Sequence, residues 1–145
     1  MDSDALVTEQ IESGRTLADE LRASKFDVEV AFWAKPSDDE SWLLYLVTPL
    51  VDQQGSPAAY RLLHPVVWRV ANSWIDPLDV RVLGTADPMA VAVRELTKPR
   101  VVQGPFALPN PKPYAGATRV SGRRLGGIEV DAAYIYPPFA PTPTA

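Results

Sequence analysis

The sequence predicts an α+β fold: a mostly antiparallel five-stranded sheet with helices packed on one face, in the order α-β-β-α-β-α-β-β. Three observations predict it. The spacing of apolar residues switches repeatedly between a helical period near 3.6 and a strand period of 2. Two pairs of apolar runs are joined by turn residues, one pair across Pro36–Ser41 and the other across Gly126-Gly127, as hairpins require. A length of 145 residues suits one ordinary core, so residues 1–136 read as a single domain and 137–145 as a proline-rich tail.

Taken in order, residues 4–24 form the first helix, with Val7, Ile11, Ala18 and Leu21 on one stripe that Leu6 and Leu17 widen. Ser3 or Asp4 caps it, and Gly14 costs its middle about 1 kcal/mol relative to alanine. Phe26, Val28, Val30 and Phe32 then alternate with Asp27, Glu29, Ala31 and Trp33, the pattern of a half-buried strand. Trp42–Thr48 is a second strand, apolar on both faces, which calls for cover on each side. Ser56-Pro57 pairs a cap with proline at the first helical position, and Tyr60, Leu63, Val67, Val70 and Trp74 continue the helical stripe. Pro65 removes a backbone donor inside this segment, so a kink or break is expected near His64. Leu78, Val80 and Val82 mark a third strand ended by Gly84. Asp87-Pro88 opens a third helix that Pro99 stops.

Of 15 prolines, five fall within 99–113 and four within 137–143. The stretch 99–116 therefore reads as an extended connection with polyproline character. The final hairpin, 117–125 and 128–136, is the most legible element. A two-residue Gly-Gly loop needs positive φ and sets the register: Leu125 opposite Ile128, Arg124 opposite Glu129, Arg123 opposite Val130, Arg119 opposite Tyr134.

Composition excludes several functions. With no cysteine and one histidine, His64, disulfides, thiol nucleophiles, iron–sulfur clusters and His/Cys zinc sites are ruled out. A metal would need carboxylates alone. A net charge of −4 opposes the phosphate backbone that dominates nucleic-acid affinity. No apolar run reaches the roughly 20 residues of a bilayer-spanning helix, and the acidic N-terminus Met-Asp-Ser-Asp is unlike a secretory signal; a cytoplasmic protein is expected. Arginine outnumbers lysine ten to four, a bias associated with bacterial genomes of high GC content.

The run Ser41–Asp52, Gly55, Ala59-Tyr60-Arg61 and Gly126–Tyr136 resembles a group of small bacterial α+β proteins of unassigned function. The resemblance covers roughly 15–63 and 117–136 and implies a fold and a bacterial origin, with no activity attached. This chain departs from that pattern at His64-Pro65 and in its proline-rich stretches.

No catalytic, cofactor or metal motif stands out, so neither a cofactor nor a metal is assigned. His64 is the one ready acid–base group near neutral pH, but no triad partner accompanies it. Asp38-Asp39-Glu40 reads as a solvated turn, and Gly122–Gly127 does not precede a helix, so it is no phosphate loop. Trp33 shares a strand face with Asp27 and Glu29, while Arg119, Arg123 and Tyr134 share a face of the last hairpin. Arg with Trp or Tyr is the composition of interface hot spots. In the competing reading Trp33 packs under a helix and Tyr134 faces the core. Pro138–Pro141 matches PxxP spacing. The expectation is a non-enzymatic module that binds a protein partner or a second copy of itself. The alternatives are a small-molecule binder or modest enzyme around His64, Tyr60 and Arg61, and a nucleic-acid partner through Arg119, Arg123 and Arg124.

Overall fold

In the computed structural model, residues 8–24, 26–38, 41–70, 75–97 and 118–136 are described. The connection 99–116, the tail 137–145 with its PxxP match, Trp74, Asp39, Glu40 and the first helical turn expected from residue 4 lie outside these residues. The elements are α1 (Thr8–Ala23), β1 (Val30–Pro36), β2 (Leu43–Val47), α2 (Pro49–Gln54), α3 (Ser56–Val70), a 3-10 turn (Pro77–Asp79), β3 (Val80–Leu83), α4 (Pro88–Thr97), β4 (Thr118–Leu125) and β5 (Ile128–Ile135). They build one α+β fold around a five-stranded sheet of order β3-β2-β1-β5-β4.

That sheet is mixed, which corrects the mostly antiparallel expectation. β1 pairs antiparallel with both β2 and β5, and β4 with β5, but β2 and β3 are parallel. The cause is the connection between them: α2 and α3 cross over one face of the sheet, and such a crossover returns the chain in its original direction. The helix α2 is absent from the expected order and falls between the second strand and the Ser56-Pro57 cap. Thr48 caps it by accepting from the Leu50 N–H at 3.2 Å, Pro49 starts it, and Gly55 ends it at φ 88°.

The helices cover both faces of the sheet, a second correction. On one side α1 and α3 bury Ala31, Trp33, Leu44 and Leu46; on the other α4 buries Phe32, Ala34, Tyr45 and Val47. Ala31–Ala34 and all of β2 are buried, so each central strand has apolar side chains in both layers. Phe26 and Val28 precede β1 rather than belonging to it. The Phe26 N–H is held by the Leu21 carbonyl at the end of α1 (2.8 Å), and both side chains join the α1/α3 layer, whereas Val30 and Phe32 face α4.

Pro65 does not break its helix; α3 runs from Ser56 to Val70 with the proline inside. Pro65 and Arg61 are exposed, so the Arg61 carbonyl that loses its helical donor lies on the solvent side, where the missing bond costs least.

One buried polar contact ties α1 to both ends of the sheet chain. The Trp33 Nε1–H donates to the Tyr136 hydroxyl at 2.9 Å, and that hydroxyl donates to the Ile11 carbonyl at 2.5 Å. Burial, the dominant cause, pushes the Tyr136 pKa up, so the donor proton stays in place. Gly14 makes room: a Cβ there would sit 2.3 Å from the Tyr136 hydroxyl and 2.9 Å from Trp33 Nε1. At the far side, the turn glycine Gly126 has φ 60° and lies against the start of α4, where a Cβ would meet the Pro88 carbonyl carbon at 2.3 Å. The hairpin tip thus closes the α4 layer.

Gly14→Ala is expected to destabilise the protein by about 1–3 kcal/mol through overpacking, against a helix-propensity gain of about 1 kcal/mol. In a Tyr136→Phe background, where the crowding oxygen is gone, the same change costs less. Urea unfolding of the four-member cycle checks this; additive effects would show that Gly14 and the hydroxyl are independent.

Candidate functional site

The last hairpin keeps the expected register: Arg119 pairs with Tyr134, Arg123 with Val130, Arg124 with Glu129 and Leu125 with Ile128. Its faces do not follow simple alternation. β5 shifts register against β1 between Lys35 and Pro36, pairing Ala132 with the first and Val130 with the second, so Asp131 is an extra residue. Opposite it in sequence order, Gly122 takes φ 55°. Such a bulge bends a strand and re-aims the side chains beyond it. Ala132 and Tyr134 pack toward the α1/α3 layer, but Val130 and Leu125 pack toward α4.

Arg119 and Arg123 are therefore not neighbours on one face, which corrects the sequence reading. The Arg119 guanidinium lies 4.7 Å from the centre of the Tyr134 ring, and Tyr134 meets Tyr136 edge-on at 5.2 Å. Arg123 instead borders a shallow cleft of about 220 Å³ with Ser37, Gly122, Arg124, Glu129 and Asp131. There Arg124 pairs with Glu129 at 3.2 Å and the Ser37 hydroxyl donates to Asp131 at 3.0 Å. Charges of both signs line the cleft, and an exposed pair of this kind contributes under about 1 kcal/mol. Trp33 leaves the candidate surface altogether, being 2 % exposed beneath α1.

His64 is exposed on α3 with its ring 5.7 Å from that of Tyr60. Tyr60 is committed elsewhere: its hydroxyl accepts the Val82 N–H at 3.2 Å and ties α3 to β3. Arg61 also points to solvent, so these three residues do not converge on one enclosed site.

The same helix carries a feature the sequence reading missed. Trp68 is 68 % exposed and Leu62 is 52 % exposed, on either side of the exposed Pro65. At about 100° per residue all three fall on the outward face. The signal was available, because neither Leu62 nor Trp68 belongs to the stripe of Leu63 and Val67 that α3 buries. Ser56–Val70 contains no Asp or Glu but has Arg61 and Arg69, the latter bridged at 3.2 Å to Glu20 of α1. Leu78, Val91 and Ile128 are exposed too, each on a different element.

Among the described residues no three histidines or carboxylates are grouped to hold a metal, and no helix is long and apolar enough to cross a membrane. Asp52 has the clearest electrostatic role. Its carboxylate accepts the Thr85 hydroxyl at 2.6 Å and the Thr85 N–H at 2.8 Å. Those bonds hold its pKa below the ordinary value. Arg94 donates to the Thr85 carbonyl, so the cluster fixes the turn between β3 and α4. Comparison with family models, with curated proteins and with solved structures finds no match to this chain.

Because the folded state favours ionised Asp52, its contribution to stability is present above the unfolded pKa near 3.8 and is lost as pH falls through the lower folded value. Asp52→Asn should lower Tm at neutral pH, with the gap from the parent protein closing once the pH drops below 3.8. Calorimetry between neutral and strongly acid pH checks this; a gap independent of pH would remove Asp52 ionisation from the account.

Proposed function

We propose that this protein is a non-enzymatic protein-interaction module whose contact surface is the outward face of α3. The supporting observation is the pair Trp68 and Leu62, exposed at 68 % and 52 % beside Arg61 and Arg69. A tryptophan buries about 150–250 Å², and at about 25 cal/mol per Å² an exposure of this extent forgoes about 3 kcal/mol of burial. Trp and Arg are the side chains most enriched at interface hot spots. Neither Leu62 nor Trp68 is among the core residues, so both are available for contact without loss to the core.

A second reading keeps the contact at the hairpin, where Arg119 stacks on Tyr134 along the edge strand β4. It is favoured by that one stacked pair and weakened by the bulge that separates Arg123 from it. The small-molecule alternative draws no support from the outward placement of His64 and Arg61. The nucleic-acid alternative loses its continuous cationic patch, since Arg124 is paired, Arg119 is stacked and Arg123 borders carboxylates.

A photo-reactive residue introduced at position 68 in cells should give discrete protein adducts, which a Leu62→Asp change in the same chain diminishes. A probe at position 119 tests the hairpin. Adducts from 119 alone transfer the function to β4, and absence of adducts from both overturns the interaction reading. Trp68→Ala should change unfolding free energy by no more than about 0.5 kcal/mol, as for exposed positions generally.

A further inference from the structure

We infer that the outward face of α3 is an interface between two copies of this chain, seating against the acidic outward face of α1 in the second copy. This rests on the reading of α3 as a contact surface and adds its occupant. A single molecule carries both halves of a complementary charge pattern. The chain is acidic overall, at −4, yet α3 has no carboxylate and two arginines over fifteen residues. Its neighbour in the same layer is the reverse: α1 exposes Glu9, Glu12 and Asp19 against one exposed arginine, Arg15.

The same charge pairing occurs once inside the chain along the adjoining flanks of the two helices, where Arg69 reaches across to Glu20 at 3.2 Å. Arg61, about two turns before Arg69 on α3, has no such bond to α1. A second copy supplies one. When a molecule presents a cationic-apolar helix beside an acidic one, a two-fold arrangement makes each contact twice, α3 on the partner's α1 and α1 on the partner's α3. In that arrangement Leu62 and Trp68 are covered by the aliphatic stems of the α1 carboxylates and by Thr16, which is exposed between Glu12 and Asp19. The guanidinium of Arg61 then lies at the rim, where charge sets partner choice more than it sets affinity.

Sedimentation equilibrium of the full chain tests this. The parent protein should show a concentration-dependent doubling of mass. Trp68→Glu should abolish it, and Arg61→Glu should weaken it at least tenfold, with circular dichroism unchanged because both positions are exposed. A Glu12→Lys/Asp19→Lys variant should also be monomeric, while an equimolar mixture with Arg61→Glu should regain dimer, since each contact again joins opposite charges. A parent protein that stays monomeric, a dimer indifferent to Trp68→Glu, or a mixture that stays monomeric overturns the inference. A monomer that still gives adducts from position 68 to a different protein would sink this proposal alone and leave the interaction module standing.

Discussion

The organising constraint is that the two central strands have no polar face. Every side chain from Ala31 to Ala34, and every one from Leu43 to Val47, is buried. Such strands form a stable core only if apolar elements cover both sides of the sheet, and the rest of the architecture follows from that need. The α2–α3 crossover supplies one cover and makes β2 and β3 parallel. The other comes from α4, which the hairpin tip meets at Pro88 through a glycine that admits no side chain. The mixed sheet and the two-sided helix packing thus share one cause.

Local features were legible from the residues themselves. Gly126-Gly127 flanked by alternating runs yields the register of β4 and β5 pair by pair, and the cap-plus-proline signal at Asp87-Pro88 yields the start of α4. Features that depend on distant partners were not. Gly14 reads as a weak point in a helix, and its purpose emerges only beside Tyr136. Trp33 reads as sharing a face with Glu29 only along one unbroken strand from Phe26, whereas the strand begins at Val30 after a segment tied to the end of α1. The common face of Arg119 and Arg123 failed for a related reason, since an extra residue at Asp131 appears only when β5 is laid against β1.

The surface of α3 lies between these cases. Its apolar outer residues are visible as those left over once the buried stripe is assigned, but a proline between them draws attention to helix breaking instead. The helix tolerates Pro65 because the affected turn faces water, and the same exposure keeps Leu62 and Trp68 out of the core. A position that costs a backbone bond and two that forgo burial are therefore gathered on one face, while the opposite face holds Ala59, Leu63, Val66 and Val67 against the sheet. Stability is concentrated on the inner side, and the outer side is free to vary without endangering the fold.

The hydroxyl of Tyr136 also bears on how the chain reaches this structure. It joins Ile11 and Trp33 across a separation of up to 125 residues, and its backbone completes the sheet by donating to the Ala31 carbonyl at 3.0 Å. During synthesis α1 emerges before the sheet, but the residue that fastens it arrives with β5. The first helix can form locally, and its tie to Trp33 and Tyr136 waits until β5 has been made. A topology in which the first helix is fastened by the last strand of the sheet folds more slowly than its helix content alone would suggest, and until that strand arrives the part of α1 that meets Tyr136 stays open to chaperones and to other nascent chains.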